Sequence, residues 1–452
     1  MTAEQQTDRF DAIVLGAGPA GEAAVTALQQ QGLRIALVER ELVGGECAYW
    51  ACIPSKTLLR APEVRCEAER EPGTSTPEVR WPQLAEYRDY MIRNLDDREQ
   101  VEDYERNGVR VFRDEAEFSG EGAVRVGDQI LHSDRILVAT GSDPQIPDIP
   151  GLHDGGFWTN REATTFSEVP ASIAVLGGGP VGIELAQLFG RLGSRVTLLE
   201  AGERLLARED PRVSELVLES LRGSGIDVRC ETNVSRVTES AGRRLVHLGD
   251  DRLEADQLLV ATGRTPRVAG LDVERVGLRA GEHGIEIDER CRASEGVWAI
   301  GDVTGVMPFT HVAKYQARIA AADIAGEPVR ADYGAIPRVV FCDPEVAAVG
   351  LTAQQAQDQG LDASSVCLRL AESIARPWTY ERDPRGELSL LADRARGVLV
   401  GAWAVGPLAS EWIHYAALAI KAQVPLSVLR DTVPQFPTYS EAYQRALTQL
   451  EG

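Results

Sequence analysis

A strand, a glycine-rich turn, a helix and a second strand follow one another twice in this chain, which leaves few choices of fold. The first copy runs Asp11-Ala-Ile-Val-Leu15, then Gly16-Ala-Gly18-Pro-Ala-Gly21, an Ala-rich helical stretch and Arg34-Ile-Ala-Leu-Val-Glu39. The second runs Ser172-Ile-Ala-Val-Leu176, Gly177-Gly-Gly179-Pro-Val-Gly182, a helical stretch through Arg191, and Arg195-Val-Thr-Leu-Leu-Glu200. In each, a continuous apolar run gives way to helical spacing and then to a second apolar run ending in an acid, which predicts a βαβ unit.

One GxGxxG turn is weak evidence for a nucleotide, and either copy alone could be a turn without a ligand. Here both follow a strand, open a helix and are answered by an acid about 20 residues later, the context that marks dinucleotide binding. Gly16, Gly18 and Gly21, and likewise Gly177, Gly179 and Gly182, let the backbone turn tightly and approach a pyrophosphate at the helix N-terminus. Glu39 and Glu200 are then placed to accept hydrogen bonds from ribose hydroxyls. A carboxylate at Glu200 repels a 2′-phosphate, and Ala201-Gly202 add no cation. NADH is therefore expected over NADPH, with Arg204 the nearby cation to watch.

Two further echoes follow the glycine turns. Arg135-Ile-Leu-Val-Ala-Thr140-Gly141 matches Gln257-Leu-Leu-Val-Ala-Thr-Gly263, each an apolar strand entering a Thr-Gly turn, so Thr140, Gly141 and Gly263 join the expected cofactor residues. Asp143-Pro-Gln-Ile-Pro-Asp-Ile-Pro-Gly151 reads as a Pro-rich linker, and Glu71-Pro-Gly-Thr-Ser-Thr-Pro77 as a surface loop. After about residue 333 the texture changes. Arg338-Val-Val-Phe341 and Gly397-Val-Leu-Val-Gly-Ala-Trp-Ala-Val405 suggest antiparallel strands, followed by a helix over 408–422. No dinucleotide motif occurs in this tail, which reads as an interface domain. At 452 residues the chain is long enough for about three domains.

Charge narrows the partners. With 69 acidic against 47 basic residues the formal charge is −22, which disfavours nucleic acid and anionic lipid. No apolar run approaches the roughly 18 residues of a membrane span, and Met1–Phe10 shows no basic region leading into an apolar one. A cytoplasmic location is expected.

Seven cysteines lie at 47, 52, 66, 230, 291, 342 and 367. An odd count in a long chain without a secretory signal argues against a disulfide framework, and the five isolated ones read as small buried hydrophobes. Cys47 and Cys52 differ, because they sit in Gly44-Gly45-Glu-Cys47-Ala-Tyr-Trp-Ala-Cys52-Ile-Pro-Ser-Lys56, just after Glu39. Five helical residues rise about 7.5 Å, beyond the roughly 6.8 Å reach of disulfide-linked Cα atoms. A bridge therefore needs Cys47 in a distorted first turn or before the helix, and such a bridge would be readily reduced. The helix N-terminus and Lys56 would favour a thiolate. Two buried free thiols are the alternative on spacing alone.

With these motifs the chain closely resembles, nearly end to end, the class I pyridine nucleotide–disulfide oxidoreductases, the group of lipoamide dehydrogenase, glutathione reductase and mercuric reductase. GGxC-x4-C-IPSK is a highly specific signature of that group. The resemblance implies an α/β fold with two Rossmann-like domains and a C-terminal α+β dimerisation domain. FAD would bind over 1–148 and 266–332, NAD(P)H over 149–265, and 333–452 would form the interface. Gly45 and the late motif Ile300-Gly301-Asp302 would hold FAD, with Asp302 on its ribityl chain. Electrons would pass from NADH through FAD to a Cys47–Cys52 disulfide, with Cys52 facing the flavin and Cys47 the substrate. Lys56 and Glu184 match an ion pair near flavin N5. His311, in Pro308-Phe-Thr-His-Val-Ala, matches a helix start near the flavin pyrimidine, where a structural histidine is an equal reading.

One departure bears on the substrate. Disulfide reductases of this group carry a C-terminal His-Pro-Thr-x-x-Glu whose His is the acid–base for dithiol exchange in the partner subunit. Here the run is Phe436-Pro437-Thr-Tyr-Ser-Glu441, so Glu441 keeps its place without the imidazole it would orient. Phenylalanine moves no proton, and such catalysis is worth about 10²–10⁴-fold. Mercuric reductases also lack this His but use a C-terminal cysteine pair, absent from Leu450-Glu-Gly452. The expectation is an NADH-dependent flavoenzyme passing electrons through the cysteines to a small-molecule acceptor other than a standard disulfide. The alternatives are a quinone or electrophile reductase working directly from flavin, and the lipoamide dehydrogenase component of a 2-oxoacid dehydrogenase complex. A homodimer with active sites shared across the interface and a cis Phe436–Pro437 peptide are further expectations.

Overall fold

Ile13-Val-Leu15 and its neighbours are apolar on both faces because parallel strands are covered on both sides. In the computed structural model, which describes residues 9–450, Ala12–Leu15 lies near the middle of a six-stranded sheet. Its order is Arg292–Ser294, Val297–Ala299, Ile136–Val138, Ala12–Leu15, Ile35–Val38 and Arg110–Phe112. All pairings are parallel except the outermost, between Arg292–Ser294 and Val297–Ala299. Most of the N-terminal stretch read for a leader, Met1–Phe10, lies outside the described residues.

The chain packs as two compact units. The first takes residues up to Ser55, Glu86–Gln145 and Gly263–Asp332; the second takes Lys56–Ala85, Ile146–Thr262 and the chain from Tyr333 onward. In the first, helix Pro19–Gln30 leaves the glycine turn and buries Ala24, Val25 and Leu28 against the core that also holds Ala317 and Ala320 of helix Thr310–Ile324. Small side chains on facing helices let the two backbones approach closely.

In the second unit a four-stranded parallel sheet, ordered Asp227–Arg229, Arg195–Leu199, Ser172–Leu176 and Gln257–Val260, repeats the first βαβ pattern. Helix Pro180–Arg191 follows its glycine turn and ends at the predicted Arg191. The tail forms the expected antiparallel sheet, ordered Pro337–Val340, Glu345–Gly350, Val398–Gly406, Glu387–Asp393 and Ala363–Arg369. The helix expected over 408–422 is two segments, Ala409–Trp412 and His414–Lys421, joined through Ile413 with helical backbone (φ −61°, ψ −22°).

Two expectations are corrected. The Pro-rich stretch after Gly141 is not wholly a linker, because Ser142–Pro144 forms a short strand antiparallel to Arg264–Pro266. Arg264 donates to the Ser142 carbonyl (2.6 Å) and Arg267 reaches the Asp143 carboxylate, so side chains supply what the prolines cannot. Cys367 is not a buried hydrophobe: it is exposed on the edge strand Ala363–Arg369, with its thiol 3.4 Å from the Glu387 carboxylate. Cys66 and Cys230 are half-buried, while Cys291 and Cys342 are buried as expected. Among the described residues no helix is long and apolar enough to cross a membrane.

Candidate active site

The first glycine turn is built against its neighbouring strand. Gly16 adopts φ +102°, and a Cβ there would stand 2.4 Å from the Ala139 carbonyl oxygen, so only glycine fits. Gly21 meets the Gly16 carbonyl in the same way, closing the helix onto the turn. Gly18, by contrast, has only the Gly45 Cα near its missing side chain, at 4.0 Å. The helix it caps has no side-chain cap and Pro19 at its start, so its first N–H groups are left for a ligand. The Glu39 carboxylate is held at the strand end by the N–H groups of Ala17 (2.7 Å) and Glu41 (2.7 Å).

The second turn copies this atom by atom. A Cβ on Gly177 (φ +111°) would lie 2.4 Å from the Ala261 oxygen, Gly182 backs onto Gly177, and Gly179 faces open space. Glu200 accepts from the N–H groups of Gly178 (2.6 Å) and Gly202 (2.7 Å). Both turns thus present an open wall, an uncapped helix start and a fixed carboxylate, a donor set that fits a dinucleotide.

The cysteine loop is keyed into the first turn. Gly44 donates to the Ala17 carbonyl (2.8 Å), and a Cβ on Gly45 (φ +62°) would come within 2.6 Å of the Gly18 Cα. Cys47 then falls in the short helix Gly45–Tyr49, and Cys52 opens the next one, Cys52–Arg70. Between them Trp50 leaves helical geometry (φ −135°, ψ 0°), so Cys47 stands before the helix, as a reactive pair requires. Tyr49 is fully buried and anchors the bend through a hydrogen bond from its hydroxyl to the Val43 carbonyl (3.1 Å).

Both cysteines are half-buried thiols. The Thr310 hydroxyl donates to Cys47 Sγ (3.3 Å) and lies 3.6 Å from Cys52 Sγ. The Cys47 thiol is raised well above its ordinary value, first by its hydrogen bond with the Cys52 thiol and then by burial, with Thr310 pulling the other way. Two sulfurs sharing one hydrogen bond do not both ionise readily, and they are already placed to lose protons and electrons as a pair. Sequence reasoning singled out His311 and passed over Thr310, the first residue of its helix.

The other expected residues of this unit are distributed around the same sheet end. Gly301 donates to Gln316 Oε1 (2.7 Å), and Asp302 accepts from the Ser142 hydroxyl (2.7 Å). The Thr140 hydroxyl donates to the Arg267 carbonyl (2.7 Å), Gly141 accepts from Arg267 N–H (2.9 Å), and Gly263 accepts from Gln145 N–H (2.9 Å). His311 is exposed, with its ring stacked on Phe309 at 5.2 Å.

In the second unit Lys56 Nζ meets Glu184 Oε2 at 2.6 Å, with the Glu184 side chain buried. The tail segment has the expected cis peptide between Phe436 and Pro437, and the Phe436 side chain is 75% exposed. Glu441 begins the helix Glu441–Gln449 and takes a long hydrogen bond from Thr438 N–H (3.4 Å). Tyr439 is buried between Trp412 and Tyr380, and burial pushes its hydroxyl far above its usual value. It is therefore a poor replacement for the missing base. Among the described residues no three His, Cys, Asp or Glu side chains gather as ligands for a resident metal.

Two dinucleotide cradles on parallel sheets, a cysteine pair keyed to the first, and an antiparallel tail domain define a flavoprotein disulfide reductase. The chain belongs to the pyridine nucleotide–disulphide oxidoreductases, whose family profile matches residues 10–317, with the family's dimerisation domain over 336–447. It is an FAD-dependent enzyme of a group that uses pyridine nucleotides. Among curated relatives, mercuric reductase of Staphylococcus aureus is 33% identical over 97% of this chain and 82% of its own length. The probable pyridine nucleotide-disulfide oxidoreductase RclA of Escherichia coli is 31% identical over 96% of this chain and 98% of its own. The solved structure of RclA, an HOCl-induced flavoprotein disulfide reductase, superposes with a TM-score of 0.88 at 28% identity, covering 98% of this chain and all of that one. LpdA from Mycobacterium tuberculosis gives 0.87 at 27% identity, covering 98% of this chain and 99% of that one.

Proposed function

We propose that this enzyme oxidises NADH and delivers the electron pair through Cys47 and Cys52 to a thiophilic metal cation. The Thr310 hydroxyl shared by the two sulfurs carries this reading, because a single donor within reach of both favours a couple that cycles between dithiol and disulfide. FAD, when bound, supplies the two-electron chemistry that connects a nicotinamide to such a couple. Gly16, Gly18, Gly21, Glu39, Gly45, Gly301 and Asp302 would hold it, and Gly177, Gly179, Gly182 and Glu200 would hold the nicotinamide nucleotide. Thr140, Gly141 and Gly263 would shape the turns beside them.

NADH is favoured by what surrounds Glu200. Arg204 donates to the Leu206 carbonyl (3.3 Å), the Ala207 carbonyl (2.7 Å) and the Ser214 hydroxyl (2.7 Å), so it is committed to its own loop. A 2′-phosphate would meet a carboxylate while Arg204 stays bonded within its own loop.

The missing imidazole supports a metal ion as the acceptor. Splitting a disulfide substrate calls for a proton on the departing thiol, whereas reducing a metal ion does not. When the two thiolates close to a disulfide they release two electrons, enough to take one Hg(II) to Hg(0) or two Cu(II) to Cu(I). Soft thiolates bind such ions well. RclA solved as a Cu(II) complex is in keeping with this class; relatives named mercuric reductase are too, with the difference that the C-terminal cysteine pair of that group has no match in Leu450-Glu-Gly452. A homodimer is proposed from the dimerisation domain and from Leu418, Val433 and Phe436, apolar side chains left exposed on the tail.

The test is NADH oxidation driven by Hg(II) or Cu(II) in the wild type and in Cys47→Ser. The variant is expected to keep NADH-dependent bleaching of the flavin and to lose metal-dependent turnover. Undiminished turnover would show that the sulfurs are bystanders, and menadione turnover surviving loss of both cysteines would favour direct reduction from flavin. Efficient dihydrolipoamide oxidation would point instead to a 2-oxoacid dehydrogenase component.

A further inference from the structure

The chain contains 44 arginines and only three lysines, Lys56, Lys314 and Lys421. Arginine carries a planar fork that would span both oxygens of a carboxylate, whereas lysine is a point charge with three separately aimed donors. In a chain that uses arginine almost throughout, Lys56 has surroundings suited to the second kind of cation.

Three contacts form a closed triangle around it. Lys56 Nζ lies 2.6 Å from Glu184 Oε2. The other carboxylate oxygen, Oε1, accepts from the backbone N–H of Phe341 at 2.9 Å. The ring of Phe341 returns to the start of the circuit, with its centroid 4.8 Å from Lys56 Nζ. Phe341 is flanked by the buried Val340 and Cys342, yet leaves 38% of itself exposed.

We infer that Phe341 is a positioning residue for Lys56. Its backbone fixes the far oxygen of Glu184 so that the near one points at the ammonium, and its ring takes a second direction of the same ammonium. One N–H of Lys56 is left, pre-aimed away from both. The inference rests on the reading that the Lys56–Glu184 pair serves the flavin; the remaining N–H would then be the one it offers. Phe341→Leu keeps the backbone donor and removes only the ring face. An ammonium over a ring at a partly exposed site is worth about a two- to fivefold effect on a rate.

The experiment uses holoenzyme labelled with [ε-13C]lysine, which gives three resonances, the Lys56 signal being the one lost in Lys56→Met. In the wild type the Lys56 ε-protons are expected upfield of their random-coil position, shifted by the ring current of Phe341. Phe341→Leu should return them downfield and slow flavin reduction by NADH about two- to fivefold, with NADH affinity unchanged. Phe341→Tyr should preserve both the upfield shift and the rate. An unmoved Lys56 signal in Phe341→Leu, or a tyrosine variant that behaves like leucine, overturns the positioning role. A wild-type rate of flavin reduction in Lys56→Met overturns instead the reading that the ion pair serves the flavin, while the NMR result stands apart from it.

Discussion

The Thr310 hydroxyl donates to Cys47 Sγ at 3.3 Å, and of the two contacts that favour the thiolate of that sulfur it is the larger, ahead of the Cys52 backbone N–H. The hydrogen bond to Cys52 and burial both act the other way. Replacing Thr310 by valine keeps the shape and removes the donor. Such a bond is worth about 0.5–1.5 kcal/mol, or about 0.4–1 pH unit. The Cys47 thiol is already raised, so losing a stabiliser of the charged form raises it further. Iodoacetamide alkylation of the reduced enzyme in Thr310→Val is therefore expected to follow a pH profile displaced upward by that amount. Thr310→Ser should restore the original profile.

Gly45 sets the approach of the cysteine loop to the glycine turn. In Gly45→Ala the new methyl would start 2.6 Å from the Gly18 Cα, with a left-handed backbone (φ +62°) besides. The backbone alone costs about 1–2 kcal/mol, and the overlap adds to it because Gly18 is main chain and cannot swing aside. The variant should purify with less flavin per chain and melt at lower temperature. Gly32→Ala is the control, since Gly32 also has positive φ (+76°) but nothing within 4 Å of its missing Cβ. Equal flavin loss in both would show that the contact is unimportant.

Phe436→His returns an imidazole to a position with the acid of the motif five residues downstream at Glu441. Acid–base catalysis by a positioned group is worth about 10²–10⁴-fold, so reduction of lipoamide or glutathione disulfide should rise by at least about tenfold. Adding Glu441→Gln should take back most of the gain. No increase over the parent in a steady-state assay with either disulfide would show that the tail is not placed as the resemblance implies.

Glu200 takes two backbone N–H groups and has its neighbouring arginine occupied elsewhere. Glu200→Gln removes the charged acceptor for a ribose hydroxyl, a bond worth about 1.5–3 kcal/mol, so the KM for NADH should rise about 10- to 100-fold. NADPH should gain relative to NADH without becoming a good substrate, which a comparison of kcat/KM for the two nucleotides measures.

Features encoded by near neighbours were legible in the sequence. Glu39 and Glu200 end strands that begin a fixed distance after their glycine turns, so spacing alone located both carboxylates. The cysteine spacing likewise asked, for a bridge, that Cys47 sit in a distorted first turn or ahead of the helix, and it lies ahead of Cys52–Arg70. Thr310 was not legible as a sulfur ligand because it lies 258 residues after Cys52, and a threonine opening a helix reads as an ordinary helix start. Phe341 was hidden for a related reason: in Arg338-Val-Val-Phe341 it looks like one more apolar strand residue. The strand Ser142–Pro144 escaped because its pairing depends on arginines more than 120 residues away. Cys367 escaped because alternation on an edge strand, rather than residue type, decided which way it faces.

The contact between Gly45 and Gly18 also sets an order of events in synthesis. The nucleotide turn and the sulfur-bearing loop share one wall and the hydrogen bond from Gly44 to Ala17, all within the first 55 residues of the chain. They can meet while most of the polypeptide has yet to leave the ribosome. Their clamp cannot, because Thr310 arrives only on the last passage of the backbone through this unit. A nascent chain thus owns its sulfurs long before it owns the hydroxyl that steadies them, and the cysteine pair gains that contact only once residue 310 of 452 has been made.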